Sequence, residues 1–323
     1  MTGPDLDSLR RLAELNARAQ GGTVDAVLKE LLHYEILQAM LETDVFQALT
    51  FRGGTALRLC YRGERYSEDL DFVCGTQFDP GVLGGLGDVL AERIGRLYGL
   101  EVELGARTPT PGSGVQVGRW RAKVQVHASD RSIRQANCIN IGVAAVPAYT
   151  RELLRVQPSI RELPASYCAL LVPTESLAEI AADKVVAFGA RNHLKHGDVW
   201  DLWSLGSRGV QAPFELVGKK LDDYGIDPVQ FAAGAQARLA EILDPGYRAV
   251  FMREMQRFAD QRTFALLVRG ELVGSMLKVA AAILEPAISA AAGGLGGGLT
   301  RPATAGPENL PGTEQPRSGP ASL

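Results

Sequence analysis

Asp69 and Asp71 stand two residues apart in the run DLDFVC, where acids alternate with Leu70 and Phe72. In an extended strand, residues i and i+2 share a face, so the two carboxylates lie side by side while the apolar pair anchors in a core. Adjacent carboxylates repel unless a cation lies between them. A hard divalent ion with oxygen ligands answers that need; Mg²⁺, or Mn²⁺ in its place, binds through few protein carboxylates and keeps positions open for substrate phosphates. The pair points towards phosphate chemistry.

Upstream, a short apolar run ends at Gly53-Gly54 and leads into the helical-looking TALRLCY. Glycines at that point let the backbone approach a phosphate, and the exposed N–H groups of a helix N-terminus can bind it, with the Thr55 hydroxyl as an added donor. Arg62 and Arg65 occupy the loop before the acidic strand, within reach of a triphosphate, and Ser67 falls on the same alternation as Asp69 and Asp71. Gly-Gly by itself is an ordinary turn, and Asp-x-Asp by itself is an ordinary solvated or capping pair. Their order is the signal: strand, Gly-Gly, helix, basic loop, then a strand with two acids.

The elements that must position these residues are legible in outline. Helical spacing covers Leu6 to Ala19 and Val24 to Thr43, with Thr23 as an N-cap. Val45 to Phe51 reads as a strand; a helix from about Pro80 to Tyr98 precedes strand-like segments at Glu101 to Ala106, Arg119 to Ala128 and Cys138 to Val146. From Thr174 the pattern is helical throughout, ending in one long helix from Thr263 to Ala290. The expectation is an α+β protein with a mixed sheet. N-terminal helices (1–44) pack on a core (45–146), a mainly helical domain follows (147–292), and a Gly/Pro/Ala-rich disordered tail (293–323) closes the chain.

The string F-x-G-G-T-A-L, followed by R-x-S-x-D-L-D-F, resembles the AbiEii/AbiGii-type nucleotidyltransferase toxins, the MenT-like group within the DNA polymerase β superfamily. The resemblance implies a polymerase β-like nucleotidyltransferase core with a C-terminal helical domain. It also implies Gly53 and Gly54 as triphosphate binders and Asp69 and Asp71 as metal ligands. A second segment, AEIAADKVVAFGARNHLKHGDVWDLWSL, is similar to the family's helical block. By that match Lys184 contacts triphosphate, Arg191 supports it, and Asp198 and Asp201 fill the acidic positions; Lys184, Phe188 and Arg191 fall at helical spacing and can share a face.

The sequence also departs from the superfamily pattern. A third carboxylate is common on a later core strand, yet Arg119 to Ala128 and Cys138 to Val146 carry no acid. Glu101, Glu103, Asp130, or Asp198 and Asp201 brought over from the helical part are the possible substitutes. The family further implies NTP as donor, the 3′ end of tRNA as acceptor, a block of translation as the outcome, and a cognate antitoxin as partner. Two other readings stay open: transfer to a protein hydroxyl, and a nucleotide-binding regulatory module without turnover.

Composition sets the outer limits. With 37 acidic and 34 basic side chains the net charge is −3, which excludes a uniformly basic nucleic-acid coat. RNA contact therefore needs local patches, for which Arg119/Arg121/Lys123, Arg131/Arg134 and Arg151/Arg155/Arg161 are candidates. Four dispersed cysteines fit a reducing cytoplasm, and Leu272 to Ala292, interrupted by Lys278 and Glu285, reads as a buried helix with no role in a membrane. His193 and His196 lack further ligands nearby, and His33 and His127 are isolated. Tyr66, Phe72 and Trp200 are candidates for stacking on a base.

Overall fold

Two helices open the chain, α1 (Leu6–Gln20) and α2 (Val24–Glu42), the second capped by the Thr23 side chain accepting from the Ala26 N–H at 3.1 Å. The computed structural model describes residues 6–293 apart from 78, 80, 108–114, 126–137, 161, 162, 164 and 270. Helix α2 is buried almost all round and carries Glu30, paired with Arg58 at 2.8 Å, and Glu35, paired with Arg93 at 2.6 Å. Buried acids on a central helix need such partners. They tie α2 to α3 (Gly53–Cys60) and α4 (Leu86–Tyr98).

The apolar run after α2 is not one strand. Val45–Gln47 forms a 3₁₀ turn, entered through a left-handed Asp44 (φ 57°), and strand β1 is confined to Thr50–Arg52. Val45, Phe46 and Leu49 are all buried, so burial without alternation misled the reading. The remaining strands are β2 (Leu70–Val73), β3 (Glu101–Arg107), β4 (Val117–Gln125), β5 (Cys138–Ala144), β6 (Glu152–Arg155) and β7 (Leu171–Thr174). They form one sheet in the order β3-β4-β5-β2-β1-β7-β6, in which β1 runs antiparallel to β2 and parallel to β7, while β2 runs parallel to β5. The α+β class and mixed sheet are thus present. The segment 147–174, expected to open the helical part, instead supplies two strands to the same sheet.

A short α5 (Ala165–Cys168) precedes β7, and seven helices then follow and pack largely on one another, with α6 and α7 also against α3: α6 (Leu177–Ala190), α7 (His196–Ser207), α8 (Phe214–Asp223), α9 (Pro228–Leu243), α10 (Tyr247–Met255), α11 (Gln261–Val268) and α12 (Glu271–Ala292). Ser176 caps α6 with Glu179 at the third helical position, Asp227 caps α9 ahead of Pro228, and Asp260 caps α11. The single long helix expected from Thr263 is divided after Val268. Among the described residues α12 is the one helix long and apolar enough to cross a membrane, but half of its apolar window is buried, with Met276, Ala280 and Leu284 in the core. Its neighbours there are α7 and α9. The expected tail, from residue 294 on, lies outside the described residues, as do Pro80, His127, Asp130, Arg131, Arg134 and Arg161.

Candidate active site

Strand β2 does what its alternation predicts: Leu70 and Phe72 are buried and Asp71 faces outwards. Register sets Asp71 beside Arg52 of β1 on one side and Gly142 of β5 on the other. Gly142 leaves the room that Asp71 uses, since a Cβ there would lie 3.1 Å from Asp71 Oδ1. Asp69 precedes the strand. Its backbone carbonyl accepts a hydrogen bond from the buried Thr55 hydroxyl, and its carboxylate accepts one from Asn140 Nδ2 at 2.8 Å. Burial, with the like charge of Asp71 adding to it, pushes the Asp69 carboxyl above its ordinary pKa, while the Asn140 bond works against that shift. Both acids line one cleft, as two ligands of a cation must.

The Gly-Gly turn is as tight as its composition suggests. Gly53 adopts φ +79°, a conformation that costs other residues about 1–2 kcal/mol. A Cβ on Gly54 would collide with the Arg65 guanidinium and stand 3.1 Å from Ser67 Oγ. Arg52, at the N-cap of α3, makes no side-chain cap, so none of the helix's first N–H groups is satisfied by it. Thr55, expected at a phosphate, instead spends its hydroxyl on Asp69 and fixes the backbone that aims the carboxylate.

The helical block enters as an ion-pair chain. Lys184 Nζ lies 2.8 Å from Asp198 Oδ1 and 2.7 Å from Asp201 Oδ2; Asp198 also binds Arg191, and Asp201 takes Arg65 through Nε and Nη2, each at 2.6 Å. Burial disfavours the charges, but the pairing outweighs it, raising the Lys184 pKa and lowering that of Asp201. These positions bear on two expectations. Arg65 is held in a bidentate pair and does not stand free for a triphosphate, and Asp198 and Asp201 are each paired with two cations where a third metal carboxylate would stand free. Glu101 and Glu103 fail on distance: β3 is three strands from β2, about 14 Å at ordinary strand spacing.

Asp183, the residue before Lys184, works in the opposite direction. It binds Arg52 at 3.0 Å and lies 3.4 Å from Lys220, a fully buried lysine of α8 that also pairs with Glu175 at 3.2 Å and Glu179 at 2.6 Å. Burial and the neighbouring Asp183 raise the Glu175 carboxyl far above its ordinary range. Arg52 and Lys220 overcome burial to hold the Asp183 carboxyl below its ordinary range.

Two clefts meet at Asp71, Lys184 and Arg191. One, of about 250 Å³, runs past Arg52 and Gly53 to Ala187, Tyr224 and Ile226. The other, of about 400 Å³, holds Gly54, Ser67 and Asp69 and opens towards Lys195, His196 and Arg257. Ser67 is therefore beside the carboxylates, although β2 begins only at Leu70. Arg62 lines neither cleft. Tyr66, Phe72 and Trp200 are all at most 2% exposed, so none is a stacking surface; Tyr224 is the aromatic side chain that the first cleft exposes. His196 bonds the Tyr247 hydroxyl at 2.9 Å, and the described residues contain no group of three His, Cys, Asp or Glu suited to a metal. Arg151 is spent on the backbone carbonyls of Phe46 and Gln47.

Arg119 and Arg121 register with Gly142 and Asn140, which places them on the Asp71 face of the sheet, with Lys123 next along. Sequence reading passed over Arg52, Asn140, Gly142 and Tyr224. Asn140 and Gly142 had a visible signal, polar and small residues alternating with Ile139, Ile141 and Val143 in a buried strand.

Among solved structures, similarity extends to MenT4, a nucleotidyltransferase toxin of Mycobacterium tuberculosis (19% identity, 87% of this chain and 98% of that one, TM-score 0.48). JHP933 from Helicobacter pylori gives 18% identity, coverage of 81% and 94%, and a TM-score of 0.43. A nucleotidyltransferase structure from H. pylori gives 19%, 81% and 96%, and 0.42. No curated protein matches the chain. The family model for the nucleotidyl transferase AbiEii toxin of type IV toxin–antitoxin systems matches residues 35–268, which include every side chain of the two ion-pair networks and both clefts. The chain belongs to the AbiEii family and is a nucleotidyltransferase toxin of the type IV toxin–antitoxin class.

Proposed function

We propose that this chain transfers a nucleoside monophosphate from an NTP to the 3′ end of tRNA, and so blocks translation until a cognate antitoxin restrains it. The observation that carries the reading is the junction of the two clefts, where an uncapped helix start, two carboxylates and a buried cation network face one space. Asp69 and Asp71 suit a hard divalent cation, since burial and the neighbouring Asp71 charge make the ionised Asp69 costly without one, and Asp71 lines the same cleft. Mg²⁺, or Mn²⁺ in its place, would be held by these two side chains and would neutralise charge on the phosphates.

The protein's own residues do the positioning. The donor triphosphate lies against the Gly53-Gly54 N–H groups, and the Arg65–Asp201–Lys184–Asp198–Arg191 chain, with three cations to two carboxylates, leaves one positive charge for it. Arg191, the most exposed member at 36%, is the one free to swing to phosphate. The nucleobase occupies the first cleft against Tyr224 and Ile226, near the Arg52 guanidinium, which sits 5.9 Å from the Tyr224 ring centroid. The acceptor enters by the second cleft, past Lys195 and Arg257, with the Arg119/Arg121/Lys123 row as a backbone-binding track. Its 3′-hydroxyl attacks the α-phosphorus, the bond to the bridging oxygen breaks, and pyrophosphate leaves. NTP and tRNA are cytoplasmic, and so is the proposed site of action.

The test is incubation with total tRNA, Mg²⁺ and each α-labelled NTP in turn, alongside the Asp69→Ala, Asp71→Ala double variant. Label in the RNA from one or two donors, absent with the variant, is the expected result. Label that instead enters a protein band and survives ribonuclease would replace the RNA acceptor with a protein hydroxyl.

A further inference from the structure

The β5 position that faces the two acids carries an amide, and its surroundings decide what that amide does. Alternation along β5 puts Asn140 and Gly142 on the Asp71 face, beside β2. Asn140 Nδ2 donates to Asp69 Oδ1 at 2.8 Å, and Asn140 Oδ1 accepts from Arg121 Nε, on the register partner in β4, at 3.2 Å. A guanidinium only donates and a carboxylate only accepts, so the two ends fix the amide's orientation. Turning it over would break both bonds.

We propose that Asn140, locked by Arg121, is a positioning residue that holds Asp69 as a one-oxygen ligand, so that the protein by itself retains a single divalent cation. This rests on Asp69 and Asp71 being cation ligands. Two carboxylates match one divalent charge; a third at the Asn140 position would leave a negative charge unmatched and call for a second ion. Asn140 donates a proton where a ligand would offer a lone pair. A second cation, where the reaction uses one, must arrive with the NTP.

The experiment is Mn²⁺ titration of the full chain without nucleotide, followed by the electron paramagnetic resonance of free Mn²⁺, with melting temperature recorded for each variant. One bound ion is expected for the wild type. Asn140→Asp, nearly isosteric, should bind a second ion or bind the first about tenfold tighter, and Arg121→Met, which removes the lock, should weaken binding about tenfold even though it also removes a positive charge that would repel the ion. This assay holds no RNA, so the acceptor track that Arg121 belongs to does not enter. Two ions bound by the wild type, or unchanged binding in both Asn140→Asp and Arg121→Met, overturns the proposal. Asp71→Asn separates the levels: if it leaves Mn²⁺ binding intact, the cation-site reading itself falls; if it abolishes binding while Asn140→Asp and Arg121→Met behave as wild type, only the role of Asn140 falls. Should Asn140→Asp fail to fold, the Arg121→Met result decides.

Discussion

Asp201→Asn separates an anchor of buried cations from a metal ligand. The Asp201 side chain is 4% exposed and takes two 2.6 Å bonds from Arg65 and a 2.7 Å contact from Lys184, each partner being 11% exposed. At an effective dielectric constant of 20, one such pair with charge centres near 4 Å is worth about 4 kcal/mol. Removing one partner of a buried pair costs about 3–5 kcal/mol because the remaining charge stays buried. At about 2 °C per kcal/mol for a chain of this size, the variant should melt about 6–10 °C lower. The loss should be largest near neutral pH and fade in acid: Arg65 and Lys184 hold the Asp201 pKa down, so its contribution is present above the unfolded carboxyl pKa and lost as pH falls through the folded one. Differential scanning calorimetry from pH 7 down to about pH 2, below the ordinary carboxyl pKa of about 3.9, measures this, with Mn²⁺ affinity as the companion assay. A variant that melts like wild type but no longer binds Mn²⁺ would refute the reasoning and return Asp201 to the metal.

Three further outcomes follow from particular side chains. Burial lowers the His33 pKa from 6.5 to about 4, with the ring bonded to the Glu68 carbonyl at 3.0 Å, so stability should fall by about 3 kcal/mol as pH drops from 6.5 towards 4; His33→Gln should flatten that slope in urea melts. Gly54→Ala should destabilise the chain by about 1–3 kcal/mol, because the new methyl displaces Arg65 from Asp201; a thermal melt equal to wild type would show that the turn has room. Tyr224→Ala should raise the KM for the donor NTP about tenfold with little change in kcat, the usual worth of one base–aromatic contact, and unchanged kinetics would move the base out of the first cleft.

Much of the candidate site's geometry was legible because its signals are local. Alternation gave Asp69 and Asp71 a common face, and the Gly-Gly turn before TALRLCY gave a strand-to-helix corner; both are short-range consequences of backbone geometry. Long-range electrostatics was not legible. Nothing in the spacing of Arg65 and Asp201 says that they pair across 136 residues, so an arginine in a basic loop read as a phosphate contact and two acids in a helix as spare ligands. The two strands within 147–174 were missed for a related reason: β6 is a four-residue edge strand with exposed Leu153, and β7 carries Pro173, both weak strand signals that only long-range pairing rescues, β7 with β1 and β6 with β7. Asn140 was overlooked because the search there was for an acid.

The central claim is that phosphorus is transferred at the Asp69/Asp71 cleft, and the most direct measurement compares one NTP labelled at the α-phosphate with the same NTP labelled at the γ-phosphate, for wild type and Asp71→Asn. Label should move to the acceptor only from the α position, with one pyrophosphate released per label, and Asp71→Asn should abolish transfer while its melting temperature stays within a few degrees of wild type. Transfer from the γ position, or undiminished transfer by Asp71→Asn, would contradict the account.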